Sequence, residues 1–203
     1  MARVTRDEYL DTAETLFAER GFYGVSIAAI ADQLGLTKQA LLHHFGSKEK
    51  LYGEVLKRIS HRFDEMLSAP ASGADDPADR VRDFFNRLAA SADQQPDQTR
   101  LLMRELLDNN QRAATASTWY LKPFLIRLTE MIQALPAWQG ARDADALAAG
   151  YQILGAINYF AISHPTLTGI YGDRGQAALR DAYPVQLRSL IEDILRTGPA
   201  GGG

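Results

Sequence analysis

Two groups of side chains between Ser26 and Lys48 have the types and spacing for nucleic-acid chemistry. Thr37, Lys38, Gln39, Ala40 and His43 lie on one side of a short helical pattern whose packing side is set by Leu41 and Phe45. Gln39 can pair bidentately with adenine, Lys38 can reach guanine or a phosphate, and Ala40 is small enough to meet a thymine methyl. Ser26, Thr37, His44 and Lys48 fall near helix starts, where side-chain donors and backbone N–H groups together suit phosphate oxygens. The four histidines offer no comparable case for catalysis or metal binding. His43 and His44 share the short helix, His61 sits on a charged face, His164 precedes a proline, and no HExxH or Glu-x-x-His spacing occurs. We therefore expect neither catalytic nor metal-binding residues, no cofactor and no enzyme activity.

These side chains need a scaffold, and the surrounding residues predict one. Ile27, Ile30, Ala31 and Leu34 recur at helical spacing, Gly35 follows where a helix end favours a left-handed residue, and Thr37 caps the next helix. That is a helix-turn-helix, whose second helix enters a major groove. Before it, Thr5 caps a helix to about Arg20 with Tyr9, Ala13, Leu16 and Phe17 inside, and Gly21 ends it. After it, Ser47 caps a long helix carrying Leu51, Val55, Ile59, Phe63 and Leu67.

Downstream, APASGADDP is the clearest punctuation, and Asp76-Pro77 opens a helix with Val81, Phe84, Phe85 and Leu88 inside. Pro96 opens another. A third is expected from about Ala114, kinked at Pro123 unless that residue lies in the first turn. Ala144 to Ser163 is the most apolar helix, expected to stop at His164-Pro165. A final helical region, Gln176 to Arg196, is expected to be interrupted at Tyr183-Pro184.

No sustained period-two alternation appears, so the fold class is all-α, with eight to ten helices. It comprises an N-terminal three-helix helix-turn-helix domain over 1–50 and a C-terminal helical ligand-binding and dimerisation bundle over 51–198. Residues 199–203, ending in GGG, are expected to form a disordered tail.

Composition fits this reading. The 203 residues are 46% hydrophobic and 23% charged, and the absence of cysteine removes disulfides and thiol chemistry. Net charge is -3, yet residues 1–62 carry 9 Lys and Arg against 8 Asp and Glu, while the rest carries 13 against 17. No apolar run near the ~20 residues of a membrane span is evident, nor an N-terminal signal segment, so we expect a cytoplasmic protein with no membrane contact.

A single helix-turn-helix reads little DNA, so a homodimer on double-stranded DNA is expected, its half-sites about 10 bp or a multiple apart. The expected interface is Ala149, Gly150, Ile153, Ile157, Leu187, Leu190, Ile191 and Ile194, where small residues permit close helix approach and the others supply an apolar face. The middle helices are expected to enclose a small-molecule effector. Its lining would be Phe84, Phe85, Leu88, Leu102, Met103, Leu106, Trp119, Tyr120, Phe124, Tyr151 and Asn158, suited to an apolar or aromatic compound with one or two polar groups.

The run AETLFAERGFYGVS, then IAAIADQLGLTKQALLHHF, then SKEKLY resembles the TetR family of bacterial transcriptional regulators in order and spacing. The resemblance covers the N-terminal third. It implies a ligand-responsive regulator, most often a repressor of a palindromic operator, dimerised through its last long helices in a four-helix bundle. The other reading is a helix-turn-helix protein without an effector, controlled by a protein partner or by abundance. One departure stands out: relatives commonly carry tyrosines on either side of the histidine at position 43, whereas this chain has Leu42 and His44.

Overall fold

The computed structural model describes residues 4–70, 76–108 and 120–199. Every regular element among them is helical: α1 (Arg6–Gly24), α2 (Ile27–Gln33), α3 (Lys38–Phe45), α4 (Lys48–Ser68), α5 (Pro77–Gln94), α6 (Pro96–Asp108), α7 (Lys122–Gln133), a 3-10 turn (Pro136–Trp138) and α8 (Asp143–Thr197). The expectations for residues 109–119, Trp119 among them, and for 200–203 lie outside the described residues.

The first helices begin where short polar side chains satisfy backbone N–H groups that have no partner inside the helix. Thr5 and Glu8 form a reciprocal capping box on α1, and the backbone N–H of Thr5 holds the Glu8 carboxyl below the usual carboxylate range. Ser26, Thr37 and Ser47 accept from the N–H groups of Ala29, Ala40 and Lys50 at 3.0, 3.2 and 3.2 Å. Gly21, at φ 72°, interrupts α1 near its end. Pro123 lies in the first turn of α7, where its missing N–H costs nothing.

The chain divides into two compact units, and the divisions fall within α4, between α5 and α6, and after Lys122 at the start of α7. The first comprises residues up to 62 together with α6 and the start of α7. Its core joins Leu10, Phe17, Ile30, Leu41, Leu51, Ile59 and Leu101, each at most 2% exposed. The ring of Tyr52 meets Phe17 and Phe22 edge-on at 4.9 and 5.0 Å.

Polar contacts fasten α6 to its neighbours in this unit. The Tyr52 hydroxyl donates to Glu105 at 2.6 Å, and Arg62 donates to Gln98 at 3.0 Å. Arg104 donates to the carbonyls of Ala18 and Glu19, both at 2.9 Å, meeting acceptors late in α1.

The second unit holds residues 63–68, α5, most of α7 and α8. Phe63, Phe84, Phe85 and Phe124 form its aromatic centre, with Phe63 and Phe124 at 4.9 Å and Phe84 and Phe124 at 6.1 Å. Arg82 donates to both carboxylate oxygens of Glu192, at 2.6 and 3.0 Å, which fastens α5 to α8. That hydrogen bonding holds the Glu192 carboxyl below its usual range. The stabilisation is therefore present at neutral pH and fades as pH falls through the lowered value.

The end of the chain differs from the sequence expectation. Neither His164-Pro165 nor Tyr183-Pro184 stops a helix, since both prolines lie inside α8, and the break falls instead at Gly172, with φ 68° and ψ 173°. Glycine is the residue that takes this conformation freely. A proline removes one hydrogen bond and crowds a carbonyl, a penalty that flanking contacts can absorb. Ser163 and Thr168 hydroxyls donate to the carbonyls of Tyr159 and His164 beside Pro165, at 2.6 and 2.9 Å.

Candidate nucleic-acid interface

Helix α2 ends in two backbone bonds that fix the turn: Leu36 N–H donates to Ala31 and Gly35 N–H to Asp32, at 2.9 and 3.1 Å. Both depend on Gly35 at φ 67°, a region that side chains with a Cβ disfavour. Thr37 then opens α3, whose Leu41 (0% exposed) and Phe45 (8%) anchor it. Tyr9 of α1 meets Phe45 edge-on at 5.8 Å, which closes the packing behind the helix.

With that side anchored, the other faces solvent. Thr37, Lys38, Gln39, His43 and His44 are exposed, and Ala40 and Leu42 are half-buried. Lys38 and Gln39 have no side-chain hydrogen bond or ion pair among the described residues. Ser26 and Thr37 use an oxygen lone pair in capping, so each hydroxyl hydrogen stays available to donate. The His44 ring lies 5.0 Å from that of Tyr9. It borders a hollow of about 370 Å³ with Val4, Thr5, Arg6, Tyr9 and Phe45.

Lys48, expected at a phosphate, is engaged inward. Its ammonium donates to the carbonyls of Phe22 and Val25 at 2.9 and 3.0 Å and lies 4.3 Å from the centre of the Phe22 ring. Two of its three donors are thereby used, and the start of α4 is tied to the connection between α1 and α2. Lys48→Ala is expected to cost about 1–2 kcal/mol of stability, seen as a lower unfolding midpoint in urea. An unchanged midpoint would contradict this role.

Lys50, absent from the sequence-derived set, is exposed and without an ion pair among the described residues. Its side chain runs beside Gly46, 3.4 Å from where a Cβ would stand. The helical register after the Ser47 cap separates Lys48, turned inward, from Lys50, turned outward.

The residues expected to line an effector site are distributed between the two units. Phe84, Phe85, Leu88 and Phe124 are buried within the second, at 1%, 0%, 3% and 3% exposure. Leu102 is buried and Met103 half-buried in the first, while Leu106 and Tyr120 are exposed there, with the Tyr120 hydroxyl close against Gly53. On α8, Tyr151 is exposed and Asn158 half-buried.

Of the residues expected at a dimer interface, Ala149, Gly150, Ile153, Ile157, Leu187, Ile191 and Ile194 already face the interior of one protomer, and Leu190 is half-buried. A Cβ at Gly150 would meet Leu128 at 3.1 Å and Ile132 at 3.2 Å, so its small size serves the approach of α8 to α7. Periodicity identified an apolar helix but not which side met its own chain. Tyr151, Tyr159, Ile162 and Ile170 form the exposed stripe on the first half of α8, with Gly155 among them. By length and composition α8 could also cross a membrane, its most apolar 18 residues having a mean hydropathy of 1.2 and being 28% buried.

A capped, glycine-turned helix pair backed by α1 and α4 and presenting one polar helix face is the architecture of helix-turn-helix proteins. Residues 10–55 match the model of the bacterial regulatory proteins of the tetR family. A transcriptional repressor, KstR2 of Mycolicibacterium smegmatis, is 46% identical over 84 residues, which is 39% of each chain. KstR2 of Rhodococcus jostii is 42% identical over 74 residues, 36% of each. The match thus spans little more than a third of these relatives.

Across the whole fold, a TetR-like regulator from Rhodococcus sp. RHA1 has a TM-score of 0.66 at 23% identity, covering 95% of this chain and 97% of its own. The fatty acid degradation regulator FadR of Bacillus halodurans scores 0.67 at 15% identity, covering 96% and 97%. Residues 10–55 are thus similar to the N-terminal domain of the tetR family of bacterial regulatory proteins, and the whole chain shares the fold of these solved structures.

Proposed function

We propose that this protein is a cytoplasmic repressor that binds a palindromic operator as a homodimer and is released by a small apolar or aromatic effector. The observation that carries DNA binding is the face of α3. Thr37, Lys38, Gln39 and His43 are exposed on a helix whose opposite side is buried through Leu41 and Phe45. Gln39 reads a base and Lys38 a base or phosphate. Ala40 packs beside a thymine methyl, and His43 borders the same groove. Ser26, Thr37, His44 and Lys50 hold phosphates, with Lys48 fixing the frame behind them.

Dimerisation assigns the exposed stripe of α8 to a second copy, which also accounts for its apolar character without a membrane. The stripe lies on the same long helix as the small residues first expected to pack between protomers. Effector release requires a ligand with different affinity for two arrangements of the dimer.

Binding of the full chain to DNA from its own upstream region, followed at several salt concentrations, tests the reading. Affinity is expected to fall as salt rises, because lysine contacts to phosphate release counterions. Affinity independent of salt would overturn it. Gln39→Ala is expected to cost about 1–3 kcal/mol on the preferred sequence and little on random DNA. Equal losses on both would remove Gln39 from base readout.

A further inference from the structure

A cavity of about 610 Å³ lies between α5 and the two halves of α8, and no described residue of the expected effector set lines it. We propose that this cavity is the effector site and that it takes a neutral molecule carrying a hydroxyl group on an apolar body. The assignment rests on the effector-responsive reading above.

Two buried atoms carry the argument. Nε2 of His164 and the hydroxyl oxygen of Tyr183 are shielded from solvent and have no hydrogen-bond partner among the described residues, and both residues line the cavity. Leaving such atoms unsatisfied costs about 1–3 kcal/mol each. A ligand that pairs with them recovers this. Neither ring is loosely placed: Tyr183 stacks face-to-face on Phe160, centroids 3.7 Å apart and planes at 4°, and Phe160 meets His164 edge-on at 5.0 Å. The row spans the break at Gly172 and presents the two polar atoms from opposite halves of α8.

Their chemistry selects the ligand. Nδ1 of His164 is 3.9 Å from Asp93, and Nε2 pairs as a donor or as an acceptor according to which ring nitrogen carries the proton. Burial pushes the Tyr183 phenol up, so it keeps its proton and donates. A hydroxyl group both donates and accepts, so it can pair with Nε2 in either form and accept from Tyr183, whereas a carbonyl oxygen only accepts. A carboxylate is disfavoured, because Arg180 is already paired with both oxygens of Asp93 at 2.7 and 2.9 Å and Asp181 adds a further negative charge. Ile157 and Leu187 receive the apolar body. Phe160 neighbours Tyr159 of the exposed stripe, so occupancy acts on the helix assigned to the dimer.

Isothermal titration of the full chain with 4-cyclohexylphenol, phenylcyclohexane and 4-cyclohexylbenzoate tests the site. The phenol is expected to bind about tenfold or more tightly than the other two. Tyr183→Phe should erase its advantage over phenylcyclohexane, and Ala89→Trp, which fills the cavity, should abolish binding while helix content, oligomeric state and DNA affinity persist. The proposal is overturned if the phenol does not bind, if the three compounds bind alike, or if Ala89→Trp leaves binding intact. It is also overturned if Ala89→Trp without any compound dissociates the protein, since the cavity would then serve subunit packing. Binding in the expected pattern with no change in DNA affinity supports the site and sinks the effector reading. Release of DNA by another compound that persists in Ala89→Trp supports that reading and sinks the site.

Discussion

Replacing Glu14 with alanine is expected to lower the stability of the unit that carries the helix-turn-helix by about 3 kcal/mol. The Glu14 side chain is 10% exposed and accepts from Arg58 at 2.5 Å and from Arg62 at 3.0 Å. Arg58 also reaches Asp11 at 2.8 Å, and Arg62 reaches Gln98 at 3.0 Å. Removing the shared carboxylate leaves two guanidiniums partly desolvated, and their residual exposure of 18% and 30% keeps the cost at the low end for a broken buried pair. Glu14→Gln keeps an acceptor but loses the charge, so an intermediate loss is expected. Urea unfolding followed by circular dichroism reads both changes. A loss for Glu14→Ala below about 0.5 kcal/mol, the level of an exposed pair, would contradict the account.

The double variant Tyr159→Glu with Ile170→Glu is expected to yield a folded monomer whose DNA affinity is at least about 100-fold weaker. These side chains are 73% and 65% exposed in the single protomer, so charging them disturbs its interior little. Across a two-fold axis the same charges would face one another on an apolar surface, where desolvation and like-charge repulsion act together. Loss of the second recognition helix removes the gain from simultaneous engagement, which commonly reaches about 10²–10⁴. Ile153→Glu provides the contrast, because Ile153 is 0% exposed and its substitution should unfold the chain instead of dissociating it. Light scattering coupled to gel filtration distinguishes the two. A double variant that remains a dimer would move the interface off this stripe.

The parts legible in the sequence were those written in local chemistry. Thr5, Ser26, Thr37 and Ser47 each stand one residue before a helix and each caps it, and Gly35 marks a turn that favours a left-handed residue. The apolar spacing of Ile27, Ile30, Leu41 and Phe45 identified the packed side of the motif and hence the exposed one. What stayed hidden depends on partners distant in the chain. Glu14 with Arg58 and Arg62, and Tyr52 with Glu105, read in sequence as ordinary helix residues, although they fasten α1 and α6 to α4 within the first unit. Lys48 carried the signal of a phosphate contact because only folding brings the carbonyls of Phe22 and Val25 to its ammonium. Along α8, prolines looked like stops and apolar residues lay on more than one side. Neither the break at Gly172 nor the division into inner and outer faces could be read from periodicity. His164 and Tyr183 are 19 positions apart and acquire a shared meaning only when the two halves of α8 pack around one cavity.

Selection of bound sequences from a random DNA pool, run in parallel with the native chain and Gln39→Ala, tests the central claim most directly. A dimer reading DNA through α3 predicts an inverted repeat with half-site centres about 10 bp or a multiple apart. Gln39→Ala should relax the same base position in both halves. An enriched motif without two-fold symmetry, or one left unchanged by the substitution, would contradict the account.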